Sequence, residues 1–252
     1  LMNLLLIYFL ILIIPIIVMP GAIKAGKLSP YRVVMYSAIT IAAATVVIFM
    51  IASMTGKGIF AQIKELVDVM AKDLAQNPMV ADAFDLAAVG EAERTEMFKN
   101  LYNSTFAVMP ACIMILGMVV SYIEYIIIAK IMGRRTQVSK MPKLREFSWP
   151  NGAFMAVMGM YLISWILTQT GVFGDNMIYM NVDLLFNFVF SVQGVSVVLM
   201  FCHMKRIPKP IGVVIAIVMW MIYLGRLVLL MVGMFDLIFG IKGKIQGRSA
   251  RR

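Results

Sequence analysis

The sequence predicts an all-α fold, a polytopic transmembrane helical bundle with at least six apolar spans. The first observation is composition: the 252 residues are 62% hydrophobic and 14% charged. A soluble domain has roughly 45–50% apolar and about 25% charged residues, and it could not bury this much apolar surface. The second observation is position, because lysines and arginines cluster at the ends of long apolar runs, as they do in membrane proteins.

The spans follow from length, since a membrane-crossing helix needs about 20 mainly apolar residues. The chain opens at Leu1, already inside an apolar run, so we expect a single membrane domain over 1–252 that begins part-way into a longer protein. Six spans are therefore a minimum. The predicted spans are residues 1–19, 33–54, 102–132, 152–170, 180–201 and 211–241.

The segment 57–101 has a different character from the spans. Apolar residues recur at three- and four-residue steps from Ile59 to Met70, with charged residues between them, which predicts an amphipathic helix. Asn77-Pro78 ends this helix, and a net acidic stretch follows it. We predict that 57–101 is an amphipathic and acidic helical insert on the extracytoplasmic side.

Basic loops set the orientation of the first five spans. Residues 21–32, 133–151 and 203–210 carry the positive charge and are predicted to be cytoplasmic. The last apolar stretch leaves two alternatives. A single crossing by 211–241 would put the basic tail, 242–252, outside; two short arms around Gly225-Arg226 would return it to the cytoplasm, which the charge pattern favours.

Three ionisable residues lie within apolar spans, where they are energetically expensive and often functional: Glu124, Arg226 and Asp236. They can line a path for a substrate or an ion, and Arg226 is the best candidate because it lies farthest from both ends of its run. Alternatively, Glu124 and Arg226 pair across helices, or each extends to the membrane interface. Asp236 can also be an interfacial residue that faces the basic tail.

A second polar group lies on the fifth span. Asp183, Asn187 and Ser191 are spaced four apart and form one stripe along a helix, with Gln193 nearby. Such a stripe faces other helices or a cavity. It can act as helix–helix contact, at about 1 kcal/mol per hydrogen bond, or as the wall of a ligand site. The sequence leaves both open.

Several function classes have no support in the sequence. No P-loop, HExxH or GxSxG motif is present, so we do not expect an enzyme. Cys112 and Cys202 are isolated in apolar runs, and His203 is followed by basic residues, so we expect no metal site and no cofactor. The net charge of +10 reflects the loop clusters rather than a nucleic-acid surface.

The C-terminal half carries short motifs at residues 145–150 (REFSWP), 192–198 (VQGVSVV) and 232–236 (VGMFD). With them the chain resembles the YybS-like family of predicted bacterial integral membrane proteins, over about residues 100–245. The resemblance implies a multi-pass protein of the bacterial cytoplasmic membrane. It also implies a distant similarity to the S components of energy-coupling-factor transporters, although the insert at 57–101 departs from that pattern.

The resemblance implies a membrane subunit, S-component-like, that binds a small molecule or takes part in transport. Its partners would be the lipid bilayer, other membrane subunits and a small-molecule ligand. The candidate ligand-binding residues are Asp183, Asn187, Gln193, Arg226 and Glu124, and the small residues Ala38 and Ala42 are candidates for partner contact. The alternative is a non-transporting scaffold subunit, in which the polar stripe joins helices and 57–101 is the docking surface.

Overall fold

The computed structural model describes residues 2–25, 28–54, 59–133, 141–149, 152–171 and 176–244, and throughout them the regular structure is helical. The chain divides into two compact units, Leu1–Lys140 and Met141–Arg252, which we describe separately. This division does not test the predicted single membrane domain. The α-helices are α1 (Met2–Ala25), α2 (Pro30–Met54), α3 (Ile59–Gln76), α4 (Pro78–Ala83), α5 (Glu91–Ala107), α6 (Met109–Met132), α7 (Ala153–Gln169), α8 (Met177–Met204), α9 (Lys209–Met221) and α10 (Tyr223–Phe239).

Two helices in the described part of the chain, α6 and α8, are long and apolar enough to cross a membrane. A third span results if the bent pair α9–α10 is one broken span. Shorter apolar helical segments are Ile13–Ala25 within α1 and Phe154–Gln169 within α7. The all-α fold with apolar spans is therefore confirmed. The count of at least six spans stays a prediction.

The first unit contains a group of apolar helices, in which α2 packs on both α1 and α6. Ile41 of α2 is fully buried, and a Cβ placed on Gly117 of α6 would lie 3.4 Å from its side chain. Helix α1 extends to Ala25, so the predicted end of the first span at residue 19 is wrong. The helix continues because Pro20 removes a single backbone donor, which can kink a helix without ending it.

Helices α3, α4 and α5 form a hairpin with its own small core. Ala71 and Ala75 of α3 pack with Phe98 of α5, and the Lys99 ammonium lies 2.7 Å from the Asp68 carboxylate. Asn77 caps α4 by accepting a hydrogen bond from the Met79 backbone N–H. The predicted amphipathic helix is thus present as α3. The side of the membrane on which the hairpin lies stays a prediction.

The predicted third span, 102–132, is interrupted in the structure. Helix α5 ends at Ala107, Val108 has φ −90° and ψ 0°, and α6 begins at Met109 with Pro110 in its first turn. Pro110 lies in the first turn of α6, where proline is favoured because the N–H it lacks would have no partner within the helix. The apolar helix is therefore shorter at its start than the hydropathy pattern indicates.

The second unit is organised around α8, which packs on α7, α9 and most extensively α10. The contact with α10 is very close at two glycines. A Cβ on Gly194 would lie 1.9 Å from the Leu229 carbonyl oxygen, and one on Gly233 would lie 1.9 Å from the Phe190 carbonyl oxygen. Absence of a side chain at both positions allows the two backbones to touch.

The last apolar stretch is bent. Helices α9 and α10 meet at Ile222 with a bend of 108°, and they contain 13 and 17 residues. The stretch is therefore two helical arms, with the break at Ile222 rather than at Gly225-Arg226. Whether it crosses the membrane once as a broken span or returns to the same side stays a prediction.

Candidate functional site

A buried polar network joins α8 to the end of α10. The Gln193 amide nitrogen donates to Asp236 Oδ2 at 2.6 Å, and its amide oxygen accepts from the Trp149 backbone N–H at 3.2 Å. The Trp149 indole N–H donates to the Val189 carbonyl oxygen of α8 at 3.0 Å. These contacts bring together the three motifs on which the family resemblance rests, because Trp149, Gln193 and Asp236 each belong to one of them.

Lys242 completes this network from beyond α10. The chain turns at Gly240, whose φ of +60° favours glycine, and Lys242 returns to the interior with 7% exposure. Its ammonium lies 3.3 Å from Asp236 Oδ2, donates to Ser196 Oγ at 3.0 Å and bonds the Phe147 carbonyl oxygen. Burial lowers the pKa of Lys242, and the Asp236 carboxylate acts in the opposite direction.

The network is saturated by protein groups. Asp236 Oδ1 accepts from the Lys242 backbone N–H at 2.8 Å, while Oδ2 accepts from Gln193 and faces the ammonium. Gln193 is fully buried and bonds protein partners through both its nitrogen and its oxygen. A buried ion pair with complete hydrogen bonding holds its helices in one arrangement. Gln193 therefore lies in a helix-joining network, and its role in ligand binding stays a prediction.

A different polar group lies toward the start of α8. Asn187 donates through its side-chain nitrogen to the Asp183 backbone oxygen at 2.9 Å and to the Asp183 carboxylate at 3.1 Å. The Tyr161 hydroxyl of α7 lies near the Asp183 carboxylate and 2.9 Å from the Tyr179 hydroxyl. Asp183, Asn187 and both tyrosines are partly exposed. We refer to these four residues as the Asp183 site.

The Asp183 site differs from the buried network in charge and in accessibility. In the part of the chain that the structure describes, no basic residue forms an ion pair with Asp183, whereas Asp236 has Lys242. Asp183 lies ten residues before Gln193, about 15 Å along the helix. The structure thus brings Asp183 and Asn187 together and places Gln193 in a separate cluster.

The remaining candidates are spread over both units. Arg226 is exposed on α10, and no described acidic residue pairs with it. Glu124 lies on α6 in the first unit, with one carboxylate oxygen buried and without a hydrogen-bond partner among the described residues. Ala38 is buried and Ala42 half-buried within that unit, where α2 already contacts α1 and α6. Their roles stay predictions.

Sequence reasoning missed three participants. In the sequence, Tyr161 and Tyr179 are ordinary aromatic residues in apolar runs. They become candidates only because the fold of α7 against α8 places their hydroxyls in contact. Lys242 was predicted as part of a cytoplasmic tail, but it is buried. Its signal in the sequence is Gly240, a glycine directly after an apolar run, which is a common helix C-terminal signal.

The fold defines a class, the helical integral membrane proteins, because lipid requires long apolar segments whose backbone groups are satisfied within each helix. Within this class the chain belongs to the family of predicted membrane proteins DUF2232, which matches residues 1–237. It is also similar to the uncharacterized protein YybS of Bacillus subtilis, with 22% identity over 141 residues. That match covers 54% of this chain and 44% of the relative, so the aligned region spans less than half of YybS.

No solved structure matches the chain. The predicted family resemblance is confirmed. The distant similarity to S components is not among the matches and stays a prediction.

Proposed function

We propose that the protein is an integral membrane subunit that binds a small molecule against α7 and α8, in the manner of a transporter's substrate-binding component. One observation carries this proposal. Asp183 is a partly exposed carboxylate on an apolar helix, it accepts a hydrogen bond from Asn187, and no described basic residue neutralises it. Ionisable groups at such positions are costly, and they mark substrate and ion sites more often than packing contacts.

The buried network supports this assignment by fixing the helix that carries the site. Gln193, Asp236 and Lys242 join α8 to the end of α10, and Trp149 bonds the α8 backbone. A binding constellation is effective when rigid elements hold its side chains in place. We therefore assign Asp183 and Asn187 to ligand contact and Gln193 to positioning.

The experiment is ligand retention by the full chain, purified from native membrane in detergent. Native mass spectrometry of the wild-type protein should show a bound small molecule, and Asn187→Leu should lose it because the Asp183 carboxylate is no longer held. The matched control is Asn181→Leu, the same change on the same helix, where the amide bonds the Met177 carbonyl oxygen. Equal occupancy in all three proteins, or no ligand in any, would contradict the proposal.

The scaffold alternative has one observation in its favour. At the end of the α3–α5 hairpin, Met79 is 78% and Phe84 67% exposed, and apolar side chains so exposed are candidates for protein contact. Under this alternative, replacing both by serine would remove partner subunits from the complex isolated from native membrane. Ligand retention would be unchanged, which separates the two functions.

We also propose the finer topology, with at least six spans in a bacterial cytoplasmic membrane and the hairpin outside. The clustering of basic residues in the loops supports it. The test uses Glu93→Cys on the hairpin and Lys244→Cys after α10, each in a protein whose Cys112 and Cys202 have been replaced. A membrane-impermeant thiol reagent then reports which of the two positions faces the outside. Labelling of the first position alone in intact cells is the expected result, and labelling of the second would overturn the assigned orientation.

A further inference from the structure

The two tyrosines of the Asp183 site pack together with a third aromatic ring, that of Phe186. The Tyr161 ring centroid lies 5.6 Å from that of Tyr179 and 4.4 Å from that of Phe186. Phe186 is buried, whereas both tyrosines remain partly accessible. A carboxylate close to several aromatic rings is suited to recognise organic cations, because aromatic rings attract positive charge through their quadrupoles.

We propose that the Asp183 site binds a small organic cation, an alkylammonium or a compound with an alkylated amine. This inference rests on the proposed function and gives the chemical class of its ligand. The ammonium group would face the Asp183 carboxylate, and its alkyl substituents would contact the faces of Tyr161 and Tyr179.

The electrostatic balance of the described residues favours a cation over the other classes. Asp183 on α8 has no basic partner among the described residues, whereas Asp236 on the neighbouring α10 is paired with Lys242. Asp183 has hydrogen-bond donors only. Removing a carboxylate from water without a countercharge is costly, and a cationic ligand supplies that charge.

The same geometry disfavours the alternatives. An anionic ligand would meet the Asp183 carboxylate with like charge. A neutral polar ligand could bond the tyrosine hydroxyls, but these already contact each other at 2.9 Å, and Asn187 already donates to Asp183. The Asp183 carboxylate therefore carries the charge of the site, and the accessible parts of the two tyrosine rings lie near it.

The test measures the thermal unfolding of the full chain in detergent with probe ions. Tetramethylammonium and butylammonium are compared with neutral neopentanol and pentanol and with the anion butyrate, at equal ionic strength. The expected result is stabilisation by the two cations, lost in Asp183→Asn and kept in Asp68→Asn, a matched carboxyl-to-amide change on α3.

A second pair of variants keeps the test informative if Asp183→Asn folds poorly. Tyr179→Leu removes a ring and should weaken tetramethylammonium binding roughly 2- to 30-fold, the range of a cation–π contact. Tyr179→Phe keeps the ring and should retain most of the affinity. Equal loss in both variants would overturn the role of the ring.

The outcomes separate the ligand class from the proposed function. Stabilisation by butyrate or by the alcohols, with none by the cations, would show a small-molecule site for a different ligand class. Cation effects that persist in Asp183→Asn would overturn the assignment to this carboxylate. No effect of any probe, together with equal ligand occupancy in wild type and Asn187→Leu, would refute the cation inference and the proposed function together.

Discussion

The contact between α8 and α10 gives a strong test of the structure, through the substitution Gly233→Ala. The added methyl carbon would lie 1.9 Å from the Phe190 carbonyl oxygen and 2.8 Å from the Gly194 nitrogen. Ordinary contact begins at 3.4 Å, so the two backbones must separate by about 1.5 Å to admit it. Both neighbours are backbone atoms, which cannot rotate away as a side chain can.

A separation of α8 and α10 by this distance would also disturb the buried network, because Gln193 is next to Gly194 and Asp236 lies one turn after Gly233. The Gln193 nitrogen and Asp236 Oδ2 are 2.6 Å apart, and an added 1.5 Å or so would break this charge-assisted hydrogen bond. Overpacking costs about 1–3 kcal/mol, and a hydrogen bond to a charged group is worth about 1.5–3 kcal/mol. We therefore expect Gly233→Ala to lower the free energy of unfolding by roughly 2.5–6 kcal/mol.

The assay is reversible unfolding of the full chain in mixed micelles, followed by helical circular dichroism and by tryptophan fluorescence, since Trp149 belongs to the network. Gly159→Ala is the matched control, because nothing lies within 4 Å of a Cβ at this position on α7. Alanine there should stabilise the helix by up to about 1 kcal/mol. If the two variants have the same stability, the close contact of α8 and α10 is wrong.

Three further predictions use the same unfolding assay. Lys242→Met leaves the Asp236 carboxylate buried without a countercharge and should cost about 3–5 kcal/mol, while the double variant with Asp236→Leu should recover most of it. The hydrogen bond from Lys99 lowers the pKa of Asp68 below its ordinary value of 3.8, so the advantage of wild type over Asp68→Asn should be present above pH 3.8 and disappear as the pH falls below it. Gly225→Ala places a carbon 2.3 Å from a backbone carbonyl oxygen at the bend between α9 and α10, and should destabilise by about 1–3 kcal/mol relative to Gly243→Ala, which has open space.

Local patterns predicted the helices because hydropathy and charge are properties of neighbouring residues. The run at 180–201 became α8 with ends within three residues of those predicted, and the periodic segment after Ile59 became α3. The four-residue spacing of Asp183 and Asn187 predicted that they share one face of a helix, and on that face their side chains make contact. In each case the determining interaction lies within one helix.

Contacts between distant parts of the chain could not be predicted in this way. Gly194 and Gly233 meet across 39 positions, and no periodicity in either helix shows that their backbones touch. Lys242 follows a charge pattern typical of a solvated tail, yet the turn at Gly240 returns it to a carboxylate six residues earlier. Its burial depends on partners from α8 and from the segment before α7, which the tail sequence does not contain.

The polar groups of α8 divide according to whether the protein satisfies them. Gln193 is satisfied, and the network around it contains a residue from each motif that carries the family resemblance. Asp183 lacks a countercharge among the described residues and lies outside all three motifs. The motifs therefore include the residues that join α8 to α10, and under the proposed function the ligand contacts lie outside them.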